Sequence, residues 1–146
     1  MEIRQLTISD YESLYSLWIS CKGMGLNNLD DSKGGIKTFL EKNPTTSLCA
    51  EEDGKLIGAI MIGTDGRRGY IYHTAVSPEY RLKGIGKKLV DAAMAETEKL
   101  GIAKVALVVF SRNEDGNRFW EKMGFFTRND IIYKDRIIKD MIRMDT

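Results

Sequence analysis

Residues 70–100 read YIYHTAVSPEYRLKGIGKKLVDAAMAETEKL, and the fold follows from them. Tyr70–Val76 has the composition of a strand, Ser77–Tyr80 is a turn marked by Pro78, and Arg81–Gly86 is a glycine-rich turn ahead of a long run of helix formers. The first amides of a helix have no partner within the helix, and the helix dipole favours negative charge there. Without a Cβ at Gly84 and Gly86 an anion can come close to the backbone, and Arg81, Lys83, Lys87 and Lys88 add positive charge. The turn therefore reads as a grip for the pyrophosphate of a nucleotide-containing cofactor.

Outward from this stretch the chain alternates between strand and helix signals. Lys104–Phe110 (KVALVVF) is a β-prone apolar run of the kind found in buried central strands. Strand, helix and strand in succession predict a right-handed crossover and a parallel pair. Upstream, Ser47–Glu51 and Lys55–Gly63 flank Glu52-Asp53-Gly54, a hairpin signal, and Thr64–Gly69 makes a second turn into Tyr70. Ile3–Leu6 reads as the first strand. Ser9 and Glu12 fit a capping box for a first helix carrying Tyr11, Leu14, Tyr15, Trp18 and Cys21 at helical spacing. Gly23–Gly35 reads as a long loop ordered only in part. Ile36, Phe39 and Leu40 mark a short second helix stopped at Asn43-Pro44. Downstream, Asn113 caps a helix over Glu114–Met123, and Phe125–Arg128 and Ile131–Lys134 read as two final strands. Arg136–Thr146 fits neither period.

The expected fold is α/β, a mixed, mostly antiparallel sheet with helices on both faces, in one domain over residues 1–146. Net charge is +1 for 146 residues, which gives no global field for nucleic acid or an anionic membrane. No apolar run approaches the ~20 residues that span a bilayer, and the N-terminus lacks a signal-peptide core. Cys21 and Cys49 read as free thiols of a cytoplasmic protein, and two cysteines with one histidine argue against a structural metal.

Three features together resemble the GNAT N-acetyltransferase superfamily, and in particular its YpeA-type small bacterial branch. The first is VSPEY-RLKGIG, matching an acetyl-CoA signature at Arg81, Gly84 and Gly86. The second is NEDGNRFWEKMGF over Asn113–Phe125. The third is the pair of turns, DG and DGRRG, that feed the strand before the signature. The resemblance implies a sheet splayed between strands 4 and 5, acetyl-CoA as cosubstrate, no metal, and transfer of acetyl to a primary amine of a small molecule or a protein. It implies that the amides of Leu82, Lys83, Gly84, Ile85, Gly86 and Lys87 hold the pyrophosphate. Thr74, Ala75 and Val76 would pair with the pantetheine arm, and an N–H of Val76 or Ala75 would stabilise the oxyanion. Asn113 falls where the family contacts that arm.

Trp120 stands where the family often has a tyrosine acid, and an indole N–H is no practical acid. Tyr72 and Tyr70, on one strand face by alternation, are the candidate replacements. Glu51, Glu52 or a water chain is the candidate base. His73, opposite those tyrosines by the same alternation, reads as a packed, hydrogen-bonded strand residue ahead of a catalytic one. Trp18 reads as core, Trp120 equally as core or ligand platform, Arg67-Arg68 as a solvated turn, and Asp30-Asp31 as a solvated loop or helix cap. The acceptor site is expected from the Gly23–Gly35 loop, the second helix and Arg128–Asp130. A homodimer is compatible with the reading. A non-catalytic acetyl-CoA-binding sensor or interaction module of the same fold is the alternative. A dehydrogenase would need a third glycine where Leu89 stands, and a P-loop would need Ser or Thr after Gly86-Lys87.

Overall fold

The computed structural model describes residues 1–145. Five strands form one sheet in the order of the chain: β1 (Glu2–Gln5), β2 (Leu48–Glu52), β3 (Lys55–Thr64), β4 (Gly69–Val76) and β5 (Val105–Leu107). The first four pair antiparallel and β4–β5 is parallel, as the crossover through α3 (Ile85–Lys99) requires. The remaining helices are α1 (Tyr11–Ser20), α2 (Lys33–Lys42) and α4 (Glu114–Lys122).

The two faces of the sheet divide the core, with the parity of β3 shifting at Ile57 where the β2–β3 register slips by one residue. Cys49, Ala59, Met61 and Ala75 face a layer made by Leu14, Leu17 and Trp18 of α1 and Ile36 and Leu40 of α2. Ile57, Ile60, Ile62 and Ile71 face Ile85, Leu89, Val90 and Ala93 of α3, with Phe119 and Trp120 of α4 packed behind. The long β3 is buried for eight consecutive residues because both faces are covered. Asp53 (φ 50°) and Gly54 (φ 76°) make the left-handed pair that a two-residue hairpin loop needs.

Several expectations are corrected. The first helix is preceded by a 3-10 turn over Ile8–Asp10, and its capping pair is Thr7 and Asp10, not Ser9 and Glu12. Thr7 N–H donates to the Asp10 carboxylate and Asp10 N–H to the Thr7 carbonyl, each at 2.9 Å. α2 starts at Lys33 because Ser32 Oγ accepts from Gly35 N–H at 3.0 Å. β5 is an edge strand of three residues, half-exposed, and not a buried central one. Phe125–Arg128 and Ile131–Lys134 form no strands. The chain bends at Asn129–Asp130, where the Arg128 guanidinium grips Asp130 at 2.7 and 2.8 Å, and runs on exposed through Ile138.

The Gly23–Gly35 loop is built from specific bonds. Asn27 Oδ1 accepts from the amides of Leu29 and Asp30, and the tail returns to close the loop. Asp145 accepts from the Met24 and Leu26 amides at 3.0 and 2.7 Å, and Arg143 forms an antiparallel bridge with Asn27.

Candidate functional site

β4 and β5 pair only at Gly69–Val105, Tyr70–Ala106 and Ile71–Leu107. Beyond Leu107 the chain leaves the sheet, so among the described residues the outer edge of β4 from Tyr72 to Val76 has no strand beside it. An unpaired edge offers free backbone donors and acceptors to an extended guest. The sheet is thus splayed between strands 4 and 5, and Thr74, Ala75 and Val76 lie on the open edge.

The edge runs into the glycine turn. Leu82 (φ 63°) and Gly84 (φ 79°) are left-handed, and the Leu82 side chain stands fully in solvent. A non-glycine residue held at positive φ is uncommon and marks a turn whose backbone course is imposed. No side chain caps α3: its N-cap is Gly84, which brings no hydrogen-bonding group, and the first helix bond there is Lys88 N–H to Gly84 O at 3.1 Å. The amides of Ile85, Gly86 and Lys87 are left for another acceptor, which suits a phosphate. The two glycines serve differently. Gly84 supplies the positive φ with open space around it, whereas a Cβ on Gly86 would come 3.1 Å from the Phe119 ring. Gly86 is there for close packing of α3 on α4.

Arg81 does not splay outward with the lysines. Its Nε donates to the Val76 carbonyl at 3.1 Å, and its Nη2 to Cys21 Sγ at 3.4 Å. It ties the end of β4, the end of α1 and the glycine turn together. Lys83 lies over the Tyr80 ring, 5.3 Å from its centroid, and Lys87 pairs with Asp91 at 2.6 Å.

Two clefts flank the β4 region, one on the side of the segment that follows β5 and one at the paired start of β4. One, of about 460 Å³, is lined by Lys22, Gly23, Phe110, Arg112, Asn113 and Asp145. Asn113 lines it while its Oδ1 caps α4 through Gly116 N–H at 3.0 Å. The other, of about 420 Å³, lies at the start of β4 between Phe39, Asn43, Asp65, Arg68, Tyr70 and Tyr72. Tyr72 sits edge-on to Phe39 and 4.8 Å from Tyr70. Burial pushes both phenols above their ordinary pKa of 10.0, which makes them poorer acids than free tyrosine. Arg128–Asp130 does not line this cleft.

Alternation places His73 wrongly, and the cause is a bulge. Ala75 pairs with Ala59 and Tyr72 with Met61, so His73 and Thr74 together stand opposite the single residue Ile60. The extra residue turns His73 onto the face of Tyr72 and Ala75. There its ring meets Trp18 at 5.0 Å, tilted by 68°, and its Nε2 lies 2.6 Å from Asp31 Oδ1. Asp31 is 3% exposed. It is neither a solvated residue nor the helix cap, which is Ser32. Its Oδ2 accepts from Asn27 N–H at 2.9 Å, and its carbonyl accepts from the Tyr11 hydroxyl at 2.7 Å. Trp18 Nε1 is buried beside this pair with no acceptor among the described residues. The contact joins a loop residue to a strand residue 42 positions away. A bulge cannot be read from strand parity, so the sequence carries no local signal for it.

The candidate bases of the sequence reading lie elsewhere. Glu51 is bonded to Arg4 at 3.0 Å on the β1–β2 side, and Glu52 sits by the hairpin turn, 4.0 Å from the N-terminal amine. Trp120 packs between Phe119 and Phe125, with centroids at 5.0 and 5.3 Å. Among the described residues no cluster of His, Cys, Asp or Glu could hold a metal ion, and no helix is long and apolar enough to cross a membrane.

Residues 11–125 match the model of the acetyltransferase (GNAT) family. A Pectobacterium atrosepticum protein named as an acetyltransferase is 31% identical over 140 residues, covering 96% of this chain and 98% of that one. A Photorhabdus laumondii acetyltransferase is 33% identical over 142 residues with the same coverage. Among solved structures, the PaiA N-acetyltransferase of Thermoplasma acidophilum in complex with coenzyme A aligns with a TM-score of 0.72. It is 26% identical, over 84% of this chain and 87% of that one.

Proposed function

We propose that this chain, which belongs to the GNAT acetyltransferase family, moves the acetyl group of acetyl-CoA directly to a primary amine. The observation that carries the reading is the open β4 edge running straight into an uncapped helix N-terminus. One extended molecule with a pyrophosphate at one end and an amide-bearing arm at the other satisfies both. A PaiA relative of this fold is solved with coenzyme A.

In this reading the amides of Leu82–Lys87 hold the pyrophosphate, and the β4 edge at Thr74–Val76 aligns the arm. An N–H of Ala75 or Val76 faces the thioester oxygen as negative charge grows on it. Acetyl-CoA supplies the activated acyl group. Val76 is fixed for this task because its carbonyl is held by Arg81, and Asn113 flanks the arm from the cleft beyond the splay. The acceptor enters from the α1–α2 side, past Phe39, Tyr70 and Tyr72. Trp120 favours one second reading, an acetyl-CoA-binding module without turnover, because it supplies no acid where the family often has one.

A thermal-shift panel with acetyl-CoA, coenzyme A, NAD and ATP tests the cofactor. A ligand at 100 times its Kd adds roughly 2.7 kcal/mol to stability. Stabilisation by the two CoA compounds alone is the expected result, and stabilisation by NAD or ATP instead would overturn the site. A panel of amines read by thiol release then separates the enzyme from the binding module.

A further inference from the structure

The chain has one histidine, and the fold gives it a buried carboxylate. The Asp31 carboxylate cannot donate when ionised, so His73 Nε2 carries the proton of the 2.6 Å bond. A neutral imidazole has one proton, and Nδ1 is then a free lone pair. Nδ1 has no hydrogen-bond partner among the described residues. The His73 side chain keeps 14% of its surface exposed. Two neighbours hold the ring, Trp18 edge-on and Asp31 at Nε2, and the bulge turns the residue onto their face. The residue lies between Tyr72, which lines the cleft at the start of β4, and Ala75 on the open edge.

From this geometry we propose that His73 is the general base of the reaction, with Asp31 as its positioning residue. The inference rests on the acetyl-transfer reading. Nδ1 takes one proton from the acceptor ammonium and becomes part of an imidazolium stabilised by Asp31. The freed amine forms the new C–N bond to the thioester carbonyl, and the C–S bond breaks as the tetrahedral adduct collapses. The second amine proton leaves with the coenzyme A thiolate as free thiol, and the imidazolium returns its proton to solvent. No oxidant or further reactant is needed. Asp31 does for the ring what a triad aspartate does: it fixes tautomer and orientation. The same bond pins the Asn27–Ser32 segment against β4, so the loop beside the acceptor and the base are set by one contact.

Because the chain has a single histidine, its ring can be read without knowing the acceptor. Imidazole ¹⁵N spectra are expected to show Nε2 protonated and Nδ1 bare. Asp31→Asn should mix the tautomers, and His73→Asn should remove the signals. Diethyl pyrocarbonate, which acylates a bare imidazole nitrogen, should add one absorbance equivalent at ~240 nm in the wild type and none in His73→Asn. Acetyl-CoA at ten times its Kd should slow that reaction about tenfold, in proportion to the free fraction. A protonated Nδ1, or labelling indifferent to acetyl-CoA in protein that acetyl-CoA does stabilise, overturns the assignment of His73 alone. Absence of any stabilisation by acetyl-CoA overturns the acetyl-transfer reading itself.

Discussion

Arg81 Nη2 lies 3.4 Å from Cys21 Sγ, although the two residues are 60 positions apart. The same guanidinium holds the Val76 carbonyl at 3.1 Å. A residue that reads as one more phosphate-facing cation is a brace between three segments. Arg81→Met keeps the stem and removes the donors, and should cost about 1 kcal/mol of stability, a typical value for a partly exposed charged hydrogen bond. Coenzyme A affinity should fall with it, because the turn and the β4 edge lose their common support. Urea unfolding and calorimetric titration read the two. Lower stability with unaltered affinity would confine Arg81 to packing.

The two glycines of the signature separate by mechanism. Gly84→Ala puts a Cβ into open space but into a left-handed backbone, which costs about 1–2 kcal/mol. Gly86→Ala meets the Phe119 ring at 3.1 Å and should cost about 1–3 kcal/mol through overpacking. Phe119→Leu should relieve the second variant and leave the first unchanged. Denaturation midpoints of wild type, the three single variants and the two double variants decide it.

Stability should fall in acid through Asp10. The Arg4 guanidinium bonds both its oxygens at 2.9 Å and holds its carboxyl below the ordinary value of 3.8. A depressed carboxylate stabilises the fold above the unfolded value and loses that contribution as pH drops through the folded one. Asp10→Asn should therefore cost stability at pH 7, by roughly 1 kcal/mol for a pair that remains partly hydrated. The gap to wild type should close below pH 3.8, as urea midpoints across the acid range would show. A gap that persists there would assign the loss to the Thr7 capping bonds.

Trp120→Tyr tests the missing acid. The smaller ring loosens contacts to Phe119 and Phe125 and should lower stability by about 1 kcal/mol. Turnover, read as thiol release, should be kept or raised, since a hydroxyl is restored where the indole offered none. A large fall in turnover with normal stability would give Trp120 a part of its own in holding the substrate.

How much was legible depends on range. The parallel β4–β5 pair, the Asp53-Gly54 hairpin, α3 and the helix capped by Asn113 follow from neighbours in sequence, and the sequence predicts them. Gly84 is legible for the same reason. The purpose of Gly86 is not, because Phe119 is 33 positions on. The Asp31–His73 bond needs a bulge and a loop return, neither of which leaves a local pattern. The two strands read at Phe125–Arg128 and Ile131–Lys134 show the opposite error. Alternating Ile, Tyr and charge satisfies strand composition, but the Arg128–Asp130 clasp bends the chain and β5 ends at Leu107, so no ladder forms.

The one-residue slip in β4 has an evolutionary corollary. Between Ala59 and Met61 the sheet absorbs an odd count without disturbing the register on either side. Deleting Thr74 would leave His73 as the single residue opposite Ile60 and would swing its side chain away from Tyr72 and Ala75 to the other side of the sheet. Descendants of this scaffold could thus lose the imidazole's station by a single codon deletion and regain it by an insertion, a change of chemistry that the hydrophobic core would scarcely register.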